Sequence, residues 1–162
     1  MNKECAVGSV IDELEKHGSY ASVTEGVSMR PLFRTHRDVV ILKPPSRELK
    51  KYDVVLYTTG VQGKYLLHRI VKVLPDEYLI RGDNTYILEH VKPERIIAIL
   101  TEYNRKGKRR SVDTPLFKLY SVFWNFIYPI RFLCHKLRRM LARIYRGIFK
   151  FKKAKKDGEG QG

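Results

Sequence analysis

The stretch "YLLHRIVKVLPDEYLIRGDN" (65–84) contains two apolar runs, each followed by a turn sequence. The runs, 65–74 and 77–82, are rich in β-branched, leucine and tyrosine residues, which are typical of strands. Pro-Asp-Glu separates the runs and Gly-Asp-Asn follows the second, and both sequences favour a tight bend of the backbone. The stretch therefore predicts two short neighbouring strands.

Similar apolar runs lie on both sides of this stretch, at 38–44, 53–59 and 96–100. Five short strands with tight turns between them predict a compact, mostly antiparallel β domain, so the expected fold class is mainly β. A short N-terminal helix is expected over 8–17, because apolar residues recur there at helical spacing, namely Val10, Ile11 and Leu14.

The net charge of +15 is concentrated in the C-terminal third of the chain. Residues 1–103 have a net charge of +1, whereas residues 104–162 have +14. The second part therefore predicts a segment that binds polyanions, either nucleic acid or anionic lipid. Together with composition, the charge predicts an N-terminal helical segment (1–21), a β domain (22–103), a basic linker (104–114), a helical tail (115–152) and a disordered tail (153–162).

Cysteine usage and the N-terminal composition exclude several classes of protein. Cys5 and Cys134 are far apart, so the chain has neither a disulfide framework nor the ligand spacing of a zinc site. We expect no metal and no cofactor. The first 18 residues contain four acids and no long apolar run, so we expect neither a signal peptide nor an N-terminal membrane anchor.

A serine and a histidine are the first candidates for catalysis. Ser28 lies in "TEGVSMRPLF" (24–33), where by itself it is typical of a turn, and a hydroxyl becomes a nucleophile only beside a base. His68 lies inside an apolar run, and strand alternation places it on the face of Leu66 and Ile70, with Arg69 on the other face. Such a histidine is either a hydrogen-bonded core residue or a general base.

Two carboxylates follow the histidine. Asp83 lies in the Gly-Asp-Asn turn, which could be only a turn, and Glu89 comes six residues later. A carboxylate bound to the far imidazole nitrogen fixes the tautomer of a catalytic histidine and stabilises the imidazolium that forms. Asp83 is the first candidate for this role and Glu89 the second.

These blocks resemble the superfamily of signal peptidase I and LexA-like serine peptidases. "GVSMRPLF", "RDVVIL", "LLHRIVKV" and "IRGDNT" occur in the order and approximate spacing of that superfamily, and the resemblance covers residues 22–101. It implies a β-rich fold with a shallow groove for an extended peptide, and a serine nucleophile in the first block.

The base divides the superfamily into subtypes. Bacterial-type signal peptidases and LexA-like repressors have a lysine where this chain has His68, whereas the endoplasmic-reticulum and spore-former type has a histidine followed by arginine. Resemblance to this Ser-His subtype implies Ser28 as nucleophile, His68 as general base and Asp83 as acid partner. Glu89 stands where the subtype has a further aspartate.

The chain departs from the Ser-His subtype in three respects. Gly26 stands where the subtype usually has a serine, so we expect the oxyanion hole to use backbone N–H groups, including that of Ser28, in a groove with Gly26 and Met29. Arg37-Asp38 and Tyr52-Asp53 stand where Gly-Asp is usual. The N-terminal membrane helix of a typical signal peptidase is missing.

The leading hypothesis is a serine endopeptidase of signal-peptidase type that cleaves an exported precursor or a leader peptide. Because its base is an imidazole, activity should fall as the pH drops through a pKa of about 6.5. The second hypothesis is a LexA-like, self-cleaving regulator that binds DNA through a partner domain, although few residues precede Ser28 for a helix-turn-helix domain and a cleavable linker. The third is a catalytically inactive module that binds peptides.

The tail combines an apolar aromatic segment, 116–130, with a basic amphipathic segment, 131–151. It could be a helical hairpin packed on the β domain, a nucleic-acid-binding surface or a membrane attachment. Membrane attachment is favoured, because such a pair of segments suits the interface of an anionic bilayer. The apolar part is shorter than the roughly 20 residues of a spanning helix. The residues expected to contact the membrane are Phe123, Trp124, Phe126, Arg138, Arg139 and Arg143.

Overall fold

The computed structural model describes residues 7–61 and 64–158, and the chain divides into two compact units. The first unit extends to Asn125 and the second begins at Phe126. The mainly β class that the sequence predicts is confirmed: the first unit is built on an eight-stranded antiparallel sheet.

The helices and strands follow one another along the chain with short connections. The helices are α1 (Val7–His17), α2 (Pro115–Phe126) and α3 (Tyr128–Gly158), with a 3-10 turn at Pro93–Arg95. The strands are β1 (Tyr20–Val23), β2 (Val39–Lys43), β3 (Val54–Thr58), β4 (Tyr65–Val73), β5 (Tyr78–Arg81), β6 (Glu89–Val91), β7 (Ile96–Arg105) and β8 (Lys108–Ser111). The order in the sheet is β1-β2-β7-β3-β4-β5-β6, and β8 pairs with β7.

Strand β3 lies inside the sheet and contributes to two hydrophobic cores. Val54 and Leu56 pack in the first core with residues of α1, whereas Val55 and Tyr57 pack in the second. This division follows from the alternation of side chains along a strand. His68 of β4 lies directly opposite Val55, so it belongs to the same face as the second core, as the sequence predicts.

The predicted basic linker over 104–114 is wrong. Strand β7 continues to Arg105 and pairs with β8, and the two strands are joined by Lys106 and Gly107. Both connecting residues have positive φ, 53° and 77°, as a two-residue hairpin turn of the tightest kind requires. The basic residues of this region are the exposed positions of a hairpin and do not mark a domain boundary.

Helix α2 belongs in its larger part to the first unit, which corrects the prediction of one tail over 115–152. Thr114 accepts a hydrogen bond from the N–H of Phe117 at 3.4 Å, and Pro115 occupies the first helical position, so the helix begins with a favourable cap. Phe117 is buried in the first core and Ser121 is buried beside it on the same helix.

The second unit is the long helix α3 of 31 residues. A turn at residue 127 separates it from α2, and Pro129 lies in its first turn, where a missing N–H costs nothing. The predicted disordered tail over 153–162 is wrong as far as Gly158, where the helix ends; residues 159–162 lie outside the described residues. Within the described ranges, no helix combines the length and the apolar character needed to cross a bilayer.

Candidate functional site

His68 is held on β4 by two side chains that meet at its Nδ1 atom. The residue is only 4% exposed. Its Nδ1 lies 3.1 Å from Oε1 of Glu89 and 3.0 Å from the hydroxyl of Tyr57. The Tyr57 hydroxyl in turn donates a hydrogen bond to Oε2 of Glu89 at 2.7 Å. Glu89 therefore receives both donors, one on each carboxylate oxygen.

This arrangement sets the tautomer and the charge of His68. A carboxylate only accepts hydrogen bonds, so Nδ1 carries the proton that it donates to Glu89, and Nε2 keeps its lone pair. Burial lowers the pKa of His68 below its ordinary value, and the negative charge of Glu89 offsets only part of this effect. His68 is thus neutral near pH 7, with an unprotonated Nε2.

The Gly-Asp-Asn turn brings the Ser28 loop to His68. Asn84 donates from its backbone N–H to the carbonyl oxygen of Ser28 at 2.6 Å, and from its side chain to the carbonyl oxygen of Val27 at 3.2 Å. A Cβ atom added to Gly82 would lie 2.8 Å from the Ser28 carbonyl oxygen and 3.0 Å from Nε2 of His68. Both atoms therefore border the same point, which only glycine leaves free.

Several polar atoms at this point have no partner in the described part of the chain. Nε2 of His68 is buried without a hydrogen bond, which is rare for a polar atom in a protein interior. Ser28 is half-buried, and across residues 7–61 and 64–158 neither its N–H nor its hydroxyl has a hydrogen-bond partner. A base, a hydroxyl and an amide donor are thus available in one place.

Asp83 does not take the role that the resemblance implies, and this assignment is corrected. Its two carboxylate oxygens bind Nε and Nη2 of Arg69 at 2.8 and 2.9 Å, and the hydroxyl of Tyr120 donates to it at 3.1 Å. The carboxylate that binds Nδ1 of His68 is that of Glu89, the second candidate. The register explains the difference: Glu89 pairs with Ile80 of β5, and Ile80 pairs with Ile70 of β4, which lies on the face of His68.

Arg69 is a site residue that sequence reasoning did not single out. It is fully buried on the face of β4 opposite His68, and it also donates to the Ser121 hydroxyl at 2.6 Å and to the Tyr52 carbonyl oxygen at 3.0 Å. An arginine inside an apolar strand is the signal that could have found it, because a buried charge needs a partner. Its role here is to fix the Asp83 turn.

The loop residues Gly26 and Met29 have different roles from one another. Met29 is buried in the first core, so it anchors the Ser28 loop and does not line a groove, which corrects that expectation. Gly26 is exposed with φ of 75° and open space around its missing Cβ. A serine at this position would be strained, which agrees with its replacement by glycine. Tyr52, at a usual glycine position, likewise has positive φ, 80°.

The residues predicted to contact a membrane divide into two groups. Trp124 does not belong among them, since its indole N–H donates to the backbone carbonyl of Asp83 at 2.8 Å. The others are exposed, namely Phe123, Phe126, Arg138, Arg139 and Arg143. In the described part of the chain, no group of three or more His, Cys, Asp or Glu side chains is arranged to hold a metal ion.

Neither the comparison with models of known protein families nor the comparison with curated proteins gave a match for this chain.

Proposed function

We propose that this protein is a serine endopeptidase of signal-peptidase type, with Ser28 as nucleophile, His68 as general base and Glu89 as the acid partner of the histidine. One observation carries the proposal: Nε2 of His68 is buried, has no hydrogen-bond partner among the described residues and borders the same point as the backbone of Ser28. A neutral imidazole with this free nitrogen suits proton abstraction better than it suits a packing role.

The reaction follows from these positions. His68 accepts the Ser28 proton on Nε2 as the hydroxyl oxygen attacks a peptide carbonyl, and it later gives that proton to the leaving amine. Glu89 stabilises the imidazolium through Nδ1, while Tyr57 holds the second oxygen of the carboxylate. Burial and the hydrogen bond to Glu89 raise the pKa of Tyr57, so it remains a neutral donor throughout. The free N–H of Ser28 is the oxyanion donor.

The expected substrate is an extended peptide segment of an exported precursor or a leader peptide, as the resemblance to signal peptidases implies. Exposed apolar side chains next to the site support an apolar peptide. Val27 precedes the serine, and Ile87 and Leu88 lie between the Asp83 turn and Glu89. Peptides in extended conformation bind through alternate side chains, so a few small apolar contacts are enough to fix the cleaved bond.

A mixture of peptides tests the activity without knowledge of the natural substrate. The full chain is incubated with the mixture, and products are read by mass spectrometry, together with labelling by a peptide that carries a serine-reactive group. We expect cleavage and labelling at Ser28, both lost in Ser28→Ala and His68→Ala and both kept in His90→Ala. His90 is the matched control, because it is an exposed histidine paired with Glu77. Peptide binding without cleavage or labelling would instead indicate an inactive binding module, and cleavage of the chain itself would indicate the self-cleaving regulator.

A further inference from the structure

Helix α2 has two faces with different surroundings. One face packs on the first unit: Phe117 enters the core, Ser121 accepts from Arg69, and Trp124 donates to the backbone of Asp83. The other face carries Leu116, Leu119 and Phe123, which recur at helical spacing and are 74%, 66% and 56% exposed. The helix is therefore apolar on both sides, and nothing in the described part of the chain covers its outer side.

An outer face of this kind is unusual for a surface helix. Soluble domains place charged or polar residues on the side that faces water, whereas Lys118 is the only charged residue from 115 to 126. A contiguous exposed apolar patch marks a contact with another molecule or with a membrane.

Helix α3, taken by itself, shows a second apolar face with basic residues beside it. Its exposed apolar residues follow helical spacing: Ile130, Leu133, Leu137, Leu141 and Ile144. The helix contains 11 lysines and arginines and one acid, Asp157. At about 1.5 Å per residue it is long enough to cross a bilayer, but its charges prevent this.

We propose that the outer face of α2 and the apolar face of α3 bind the interfacial region of an anionic lipid bilayer, with both helices in the plane of the membrane. An interfacial helix is defined by an apolar face, a basic polar face and low mean hydropathy, and α3 has all three features. Clustered lysines and arginines attract anionic headgroups. The charge of α3 opposes pairing with a second copy, because like charges would meet. The outer face of α2 offers almost no cations for a nucleic-acid backbone, which needs many.

This surface has a consequence for the Ser28 site. The inner face of α2 holds the Asp83 turn through Tyr120 and Trp124, and that turn holds the Ser28 carbonyl through Asn84. A helix with its side chains is about 10 Å across, so lipid bound to the outer face of α2 lies about one helix diameter from the residues that build the site. Peptides that emerge from the membrane surface are thus within reach of Ser28.

Vesicle flotation of the full chain tests the proposal without any need for catalysis. Vesicles of phosphatidylcholine, with and without phosphatidylglycerol, are compared for the parent chain, for the double variant Leu119→Ser with Phe123→Ser, and for the control Val73→Ser, which changes an exposed valine of β4. We expect binding to the anionic vesicles, a partition coefficient at least about tenfold lower for the double variant, and no change for the control. Ser28→Ala should bind like the parent chain, so a failed peptidase proposal leaves this test intact.

Salt and two further measurements separate the alternatives. Raising the salt concentration from about 0.1 to about 1 M should weaken binding to the anionic vesicles and leave the residual binding to neutral vesicles unchanged. The proposal is overturned by equal flotation of parent and double variant when circular dichroism shows both folded. It is also overturned if the double variant abolishes a dimer seen in sedimentation, or if nucleic acid binds the chain and vesicles do not.

Discussion

The substitution Glu89→Gln tests the assignment of Glu89 as the partner of His68. The carboxylate lies 3.1 Å from Nδ1, and its negative charge stabilises the imidazolium form of His68. The substitution keeps the shape and a hydrogen-bond acceptor but removes the charge. The imidazolium then becomes less stable, so the pKa of His68 falls further below its ordinary value.

The size of this effect follows from the exposure of the pair. Two unit charges about 4 Å apart interact with about 1 kcal/mol in a water-like medium and with about 4 kcal/mol at an effective dielectric constant of about 20. The Glu89 side chain is 30% exposed, so water screens part of the interaction. We therefore expect a loss near the lower end, about 1 to 2 kcal/mol, which corresponds to a decrease of about one unit in the pKa of His68.

Two measurements report this change independently. The acidic limb of the pH profile of kcat/KM should move to lower pH by about one unit, and the rate on the plateau should fall about tenfold because the transition state contains the imidazolium. A titration of the His68 ring by nuclear magnetic resonance should show the same displacement without substrate. Glu77→Gln is the matched control, since it removes a carboxylate from the exposed His90 and should leave His68 unchanged.

An acidic limb that stays in place, or that moves to higher pH, would show that Glu89 does not stabilise the charged form of His68. If Asp83→Asn moved the limb to lower pH while Glu89→Gln did not, the assignment implied by the resemblance would be the correct one.

Two further substitutions test the turn that joins the site. Gly82→Ala places a methyl group 2.8 Å from the Ser28 carbonyl oxygen, so the loop must shift, and we expect kcat/KM to fall about 100-fold or more while urea denaturation shows a folded protein; normal activity would show that the loop position is not critical. Asp83→Asn leaves the buried charge of Arg69 without its partner, so the free energy of unfolding measured in urea should decrease by about 3 to 5 kcal/mol. The control Asp113→Asn removes an exposed ion pair with Lys118 and should change that value by less than about 1 kcal/mol; a similar small change in Asp83→Asn would contradict the structural role.

The β elements could be predicted because their signals are local. Alternation along 65–73 assigns His68 and Arg69 to opposite faces, and the structure confirms this placement. The helical break near Pro129 is equally local, because a proline is tolerated in the first turn of a helix and not in its interior.

The acid partner could not be predicted, because it depends on where the chain returns after a turn. Asp83 and Glu89 are close in sequence, and either could reach His68 when only the spacing is known. The register of β5 with β6 decides between them, and register depends on the packing of both faces. The basic hairpin at 104–111 failed for a related reason: composition suggested a linker, while the pairing with β7 determined the structure.

The pair of Arg69 and Asp83 explains how a helix with an apolar outer face stays positioned on the first unit. A buried ion pair adds little stability by itself, because the loss of hydration offsets the attraction of the charges. Here, however, the guanidinium and the carboxylate are both hydrogen-bonded to α2, through Ser121 and Tyr120. Breaking the helix contact would therefore expose part of a charge network, which makes any other docking geometry of α2 costly.

The same strand thus provides two connected functions from neighbouring residues. His68 points to one face of β4 and supplies the base, and Arg69 points to the other face and holds the turn that positions Ser28. Because Asp83 binds Arg69 and the adjacent Asn84 binds the Ser28 carbonyl oxygen, a displacement of α2 would be transmitted to the nucleophile through only two residues. The position of α2 and the geometry of the Ser28 site are therefore coupled.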